Sequence, residues 1–236
     1  MDTVAGNILE VRRRVSLACS RAKRDPDAIN IVAVSKGRTV DELKQALESG
    51  LTDIGENRVQ EAGFKYNALS LFPSAAKPRW HMVGHLQTNK VKEAVRIFDL
   101  IHSVDSLRLV EEIDKQAGLS GKIQEILLEV KTSPEASKSG AKPDEALKLV
   151  NSMPGFKNIS LKGLMTIAPL ADAPEKARPY FRMLRELKDN IQKLPGAGRQ
   201  PLVLSMGMTD DFEVAIEEGS DLLRLGRVIF SGERQE

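Results

Sequence analysis

Short apolar runs alternate with helix-length amphipathic stretches eight times along this chain, and that rhythm limits the fold more than any single motif does. The first run is Asn30-Ile31-Val32-Ala33-Val34, which leads into Ser35 and Lys36. An apolar segment this short and continuous reads as a strand buried on both faces, the pattern of parallel sheets. The later runs fall at 51–54, 80–83, 97–101, 124–130, 160–164, 201–204 and 222–225. Helix signals lie between them. Thr39 with Glu42 forms a capping-box pattern, Gly50 and Gly219 stand at helix ends, and Pro143 suits a first helical turn. The longest helix is expected over 175–191 and a shorter one over 88–94. The stretch 69–79, with Pro73 and Pro78, reads as a surface connection.

Eight such units within 236 residues predict an α/β fold, a (β/α)8 barrel. An open doubly wound sheet is the alternative, but it wants fewer strands and a glycine-rich loop after the first one. Lys36-Gly37-Arg38 is no such loop. Val4, Ile8, Val11, Val15 and Ala18 recur at helical spacing ahead of the barrel. The expected organisation is therefore a single domain over 1–236, with an N-terminal helix over 1–24 and the barrel over 30–232. The Arg12-Arg13-Arg14 triplet reads as a solvated helix face.

Charge and composition narrow the function. The chain carries 35 basic and 33 acidic residues, with one tryptophan and two tyrosines. That balance predicts neither a nucleic-acid interface nor an aromatic stacking platform. Cys19, the single cysteine, has no internal partner and points to a reducing compartment. No signal peptide and no membrane-length apolar run are read, so a cytoplasmic protein is expected.

In a barrel all strands end at one face, and the working residues gather there. The predicted strand ends are Lys36, Gly55-Glu56-Asn57, Gly84-His85, His102-Ser103, Lys131-Thr132, Met165-Thr166, Ser205-Met206-Gly207 and Arg224-Gly226. Barrels often bind phosphate after strands seven and eight, where Ser205, Gly207, Gly226 and Arg227 offer a hydroxyl and approachable amides. The same glycines also suit plain tight turns. His81, inside a strand, reads as a satisfied core histidine. No cysteine cluster, helical histidine pair, Walker loop or Gly-x-Ser-x-Gly elbow is present, so no metal site is expected. A crowded lysine beside an anion site can condense with a carbonyl. Pyridoxal 5'-phosphate and the sugar phosphate of a Schiff-base aldolase both need that pairing.

The motifs separate these readings. Val32-Ala33-Val34-Ser35-Lys36, Ile54-Gly55-Glu56-Asn57-Arg58-Val59-Gln60-Glu61 and Trp80-His81-Met82-Val83-Gly84-His85-Leu86-Gln87-Thr88-Asn89-Lys90 come first. His102-Ser103-Val104-Asp105, Gly163-Leu164-Met165-Thr166-Ile167, Leu204-Ser205-Met206-Gly207-Met208-Thr209-Asp210-Asp211-Phe212-Glu213 and Arg224-Leu225-Gly226-Arg227-Val228-Ile229-Phe230 follow. In this order and over nearly the whole chain, they resemble the pyridoxal phosphate homeostasis proteins, which are similar to the barrel domain of bacterial alanine racemase.

The resemblance implies that Lys36 holds pyridoxal 5'-phosphate (PLP) as an internal aldimine. It implies a phosphate cradle from Ser205, Gly207, Gly226 and Arg227, and Arg224 facing the pyridine nitrogen. Asn57, His85, Met165 and Met206 resemble pocket wall. Two positions depart from the family pattern: Arg227 stands where a small hydroxyl residue is common, and Ser231 where glycine is usual. A permanently charged arginine disfavours a second proton on the ring nitrogen, which weakens the ring as an electron sink. Tyr66 and Tyr180 are not at strand ends, so the tyrosine base of a racemase has no candidate. The expectation is a monomeric PLP-binding protein with little or no turnover. It would act in PLP homeostasis and so on amino-acid and keto-acid balance, with amino acids or PLP-dependent apoenzymes as recipients. The alternatives are a stand-alone amino-acid racemase, with His85 or Lys131 as second base, and a PLP-responsive regulatory module.

Overall fold

The computed structural model describes residues 3–71, 77–133, 139–193 and 201–231. Helix α1 (Val4–Ala22) precedes β1 (Asn30–Val34), α2 (Val40–Glu48), β2 (Asp53–Glu56), α3 (Val59–Ser70), β3 (Arg79–Met82), α4 (Val91–Ile97) and β4 (Leu100–Val104). Next come α5 (Leu107–Leu119), β5 (Gln124–Glu129), α6 (Pro143–Ser152), β6 (Ile159–Met165) and α7 (Arg178–Gln192). The order ends with β7 (Val203–Ser205), α8 (Phe212–Glu217), β8 (Leu222–Leu225) and α9 (Arg227–Phe230). The eight strands are parallel, pair in chain order and close through β8 onto β1. The barrel, not the open sheet, is the fold.

Closure creates two apolar layers. Outward-facing strand residues such as Ile54, Ile101, Ile126 and Leu164 pack under the helices. Inside the barrel, Leu100, Leu127, Met165 and Leu222 form a small apolar floor, with Val203 against it. Helix α1 lies over α8 and α9, where Ile8, Val11 and Val15 share a cluster with Phe212, Ile216 and Phe230. Its arginines are more than a solvated face. Arg14 pairs with Glu213 at 2.6 Å and sits 4.7 Å from the centre of the Phe212 ring. Arg12 donates to the Gly50 carbonyl at 3.0 Å, so two of the three tie α1 to the barrel.

Several boundaries differ from the sequence reading. The fourth strand starts at Leu100, not residue 97, because Ile97 and Phe98 are buried as the last turn of the α4 segment. Residues 88–90 form a 3-10 turn ahead of α4, and 174–177 form another ahead of α7. The seventh strand is likewise displaced, to Val203–Ser205. The capping box at Thr39 and Glu42 is present, with the Glu42 amide donating to Thr39 Oγ1 at 3.2 Å and the Thr39 amide to Glu42 Oε2 at 2.7 Å. Part of the connection expected over 69–79, residues 72–76, and the barrel boundary expected at 232 fall outside the described residues.

Candidate functional site

Lys36 stands on the turn that leaves β1, exposed at the barrel mouth. The turn is held from both sides. Lys65 Nζ, on α3, donates to the Ser35 carbonyl at 2.5 Å, to Glu56 Oε1 at 2.6 Å and to Glu61 Oε1 at 2.7 Å. Glu61 Oε1 also accepts from the Gly37 amide at 2.7 Å, and the Ser35 hydroxyl donates to Glu56. The residues flanking Lys36 are thus fixed by one buried ion cluster, while its own side chain makes no hydrogen bond or ion pair with the described residues. Burial raises the Glu56 carboxyl above its usual range, against the pull of Lys65 and Ser35. Burial also pushes Glu61 upward, but Lys65 and the Gly37 amide outweigh it and the net shift is down. On the far side of the turn, Arg38 donates to Ser231 Oγ and lies 5.7 Å from the Phe230 ring centre. Ser231 therefore ties the end of α9 to the Lys36 loop.

A cleft of about 440 Å³ opens beside this turn, lined by Lys36, Asn57, Met82, His85, Gln87 and Lys90 among others. Gly84 shapes it: a Cβ there would sit 2.5 Å from the Asn57 carbonyl oxygen, so only glycine lets the β3–α4 loop lie against that backbone. Lys36, Asn57 and His85 are brought together. Gly226 abuts the same strand end, with its added Cβ position 3.1 Å from the Val34 carbonyl oxygen. In α9 the first amides to bond back are those of Ile229 and Phe230, to the Gly226 carbonyl at 3.0 and 3.1 Å. The amides of Arg227 and Val228 have no intrahelical acceptor there. The Arg227 side chain points away to an ion pair with Asp210 across the β7–α8 loop. Gly207 takes φ +94°, and a Cβ would come within 2.6 Å of that of Ala215, so this turn also requires glycine.

Other expected mouth residues lie deeper. Ser205, Met165, Met206 and Arg224 are all buried. Met165 belongs to the barrel floor and Met206 packs under the helices. The Ser205 hydroxyl is already engaged, accepting from Arg224 Nη1 at 2.7 Å and meeting His102 Nδ1 at 2.9 Å. It is thus part of the barrel interior instead of a free donor at the rim, because β7 places it level with Leu222 of the floor. Glu56, His102 and Ser103 also move from the predicted mouth into strands; β2 and β4 both extend further along the chain than the apolar runs suggested.

The interior holds a chain of hydrogen bonds that sequence reasoning missed. Asp53 Oδ1 meets His81 Nε2 at 2.8 Å, and His81 Nδ1 meets His102 Nε2 at 2.9 Å. His102 continues to Ser205, Ser205 to Arg224, and Arg224 Nη2 to the Thr166 carbonyl at 2.8 Å. His81 is the satisfied core histidine the sequence suggested. Burial, then the His81 and Arg224 charges, push His102 well below its ordinary value. Burial brings Arg224 down to about 10 against the attraction of Asp211 and Glu129, which leaves it charged at neutral pH. Also missed were Lys65 and Glu129. Val59, Ala62, Lys65 and Leu69 share one helical stripe, and a lysine on an apolar stripe is the signal that could have revealed it. Among the described residues, no His, Cys, Asp and Glu grouping could hold a metal, and no helix is long and apolar enough to cross a membrane.

This barrel and its mouth define a protein class. Residues 9–234 match the family described as the alanine racemase N-terminal domain. The likeness to alanine racemase of Clostridium difficile, TM-score 0.73 at 14% identity over 97% of this chain and 61% of that one, is a likeness of fold. Within that class, the pyridoxal phosphate homeostasis protein of Aquifex aeolicus is 40% identical over 225 residues, covering 95% of this chain and 96% of the relative. The Pseudomonas aeruginosa protein of the same name is 35% identical over 98% of this chain and 96% of its own length. The structure of PipY from Synechococcus elongatus with PLP bound superposes at TM-score 0.84, 32% identical, over 97% of this chain and all of that one. The chain belongs to the pyridoxal phosphate homeostasis protein family.

Proposed function

We propose that this protein binds PLP at the barrel mouth, covalently through Lys36, and holds and hands on the cofactor with little or no turnover of its own. The observation that carries this reading is the placement of the Lys36 turn against the end of β8. Gly226, just before the α9 amides of Arg227 and Val228, lies against the Val34 carbonyl of the strand that leads into Lys36. An aldehyde and a phosphate on one small ring compound need such a pair. A homologous PipY structure holds PLP.

The residues fit the group. Phosphate would be held by the amides of Arg227 and Val228 and the backbone near Gly207, with Arg227 and its Asp210 partner at the rim. The hydroxyl expected from Ser205 is not needed for that role. Arg224, fixed by Ser205 and Thr166, keeps further N–H donors for the pyridine nitrogen. Asn57 and His85 line the cleft on the Lys36 side, while Met165 and Met206 support the site from below. When bound, PLP supplies an electrophilic carbonyl carbon. The protein's contribution is to orient Lys36, to bind the phosphate and to keep a positive charge facing the ring nitrogen. A single unit comprising α1 and the barrel is sufficient for this, and the recipients would be amino acids or PLP-dependent apoenzymes.

The test is an absorption spectrum of the purified protein after incubation with PLP, followed by borohydride reduction and peptide mapping. A visible band reduced onto the Lys36 peptide supports the reading. Label on another lysine, or no band, defeats it.

A further inference from the structure

A second, smaller chamber of about 200 Å³ adjoins the Lys36 cleft and shares Asn57, Gly84 and His85 with it. Its other polar walls are Glu129, Lys131, Thr132 and Ser133. Glu129 is the last residue of β5 and faces inward, one pleat above the floor residue Leu127. It is 5% exposed, and its carboxylate has no hydrogen-bond partner among the described residues. Ser133 Oγ is buried and equally unpartnered. A buried hydroxyl without a partner is costly unless something else satisfies it, and the Glu129 carboxylate lines the same chamber. The carboxylate accepts hydrogen bonds and the hydroxyl can accept or donate, so an occupant bearing N–H donors suits both. Lys131, on the same wall, adds a cation suited to a carboxylate.

We propose that this chamber binds an α-amino acid, its amino group at Glu129 and Ser133 and its carboxylate toward Lys131, and that Glu129 accepts the proton that frees the amine for attack on the Lys36-bound carbon. This rests on the cofactor reading above, since the attack needs that carbon. The step balances without any oxidant. The ammonium passes one proton to the Glu129 carboxylate, and its nitrogen lone pair forms a bond to the carbon held by Lys36. The bond from that carbon to Lys36 Nζ breaks, and Lys36 leaves as an amine, its added proton coming from the incoming nitrogen. The carbon thus passes from the protein to the amino acid, which is a route for release.

The charged neighbours suit a proton acceptor. Glu129 is buried and sees Asp105 from the turn after β4, while Arg224 of β8 opposes them; His85 and Lys131 complete the titratable groups around the chamber. Burial, with the Asp105 charge, raises the carboxyl to about 7, where it exchanges a proton readily at neutral pH.

The experiment loads the protein with PLP and follows loss of the Lys36 chromophore after mixing with glycine or methylamine. Saturable loss with glycine is expected, at least about tenfold slower in Glu129→Gln. Lys131→Met should raise the half-saturating glycine concentration while leaving methylamine unaffected. Should Glu129→Gln fail to fold, Ser133→Ala, which removes the second acceptor, is expected to raise that concentration several-fold. Equal glycine rates in wild type and variants, or rates that rise linearly without saturation, overturn the proposal. Absence of any chromophore before amine is added overturns the cofactor reading itself, and the amine step with it.

Discussion

His102 Nδ1 lies 2.9 Å from Ser205 Oγ, across the barrel interior from β4 to β7. The two ends of the chain they belong to have fixed directions. Arg224 can only donate, so Ser205 Oγ accepts from it. His102 Nε2 in turn meets His81 Nδ1, so the two rings share a single hydrogen between them. His81 donates from Nε2 to Asp53, whose carboxylate can only accept. Burial raises Asp53, but the bonds from His81 and Thr52 outweigh it and hold the carboxyl below its usual range. A positive and a negative side chain thus face each other through the two histidines.

The pH dependence follows with a definite sign. His102 has a folded pKa well below its ordinary 6.5, mainly through burial. Below about 6.5 the unfolded chain binds the extra proton first, so stability falls as pH drops below that value. His102→Leu should flatten this slope. It should also cost about 2–4 kcal/mol at pH 7.5, since it strands bonding groups on both His81 and Ser205. Urea denaturation of both proteins from pH 5 to 8 checks the slope and the offset together.

Glu129 has the opposite sign. Its folded pKa of about 7 stands above the ordinary 4.5, so folding loses stability as pH rises through that interval. Glu129→Gln is expected to stabilise the protein at pH 8 by ~1–3 kcal/mol and to leave it nearly unchanged at pH 4.5. Thermal melts of the pair at both pH values decide this. A variant less stable at pH 8 would show that the carboxylate is better satisfied in solution than its partnerless position indicates.

The sequence carried the fold's outline and the place of Lys36, because both are written in local patterns. Period-two and period-3.6 runs mark strands and helices, and strand ends in a barrel converge by topology. What stayed hidden depends on pairings far apart in sequence. Ser205 looked like a rim hydroxyl; only the register of β7 beside β8 shows it level with the floor. His102 looked like a loop residue because Ile97 and Phe98 imitate a strand while finishing a helix. Lys65 was legible in principle, since its stripe is otherwise apolar, but its partners Glu56 and Ser35 belong to two different strand ends.

That lysine yields a further expectation. Lys65 and Glu56 are 3% and 0% exposed, so deleting one charge leaves the other buried alone. Lys65→Met should cost about 3–5 kcal/mol, and much of that loss should return in Lys65→Met/Glu56→Gln, where neither charge remains. Amide exchange at Gly37 should quicken in the single variant, because its acceptor Glu61 loses the Lys65 anchor. A double variant as unstable as the single one would place the loss in packing, not in the stranded charge.

Lys36 is the counterpart case, the lysine proposed to hold the cofactor and one with little structural role. Its side chain is exposed and makes no hydrogen bond or ion pair with the described residues, so Lys36→Ala should change stability by less than ~0.5 kcal/mol. Binding is a separate matter. A ligand that binds only the folded state raises the melting temperature with the logarithm of its excess over Kd. PLP should therefore raise the melting temperature of wild type by several degrees and that of Lys36→Ala by much less, since phosphate contacts alone remain. Calorimetric melts with and without excess PLP, compared with inorganic phosphate at the same concentration, separate the two contributions. Equal shifts for wild type and variant would mean that the anion site alone holds the cofactor and that the amine at the end of β1 is idle.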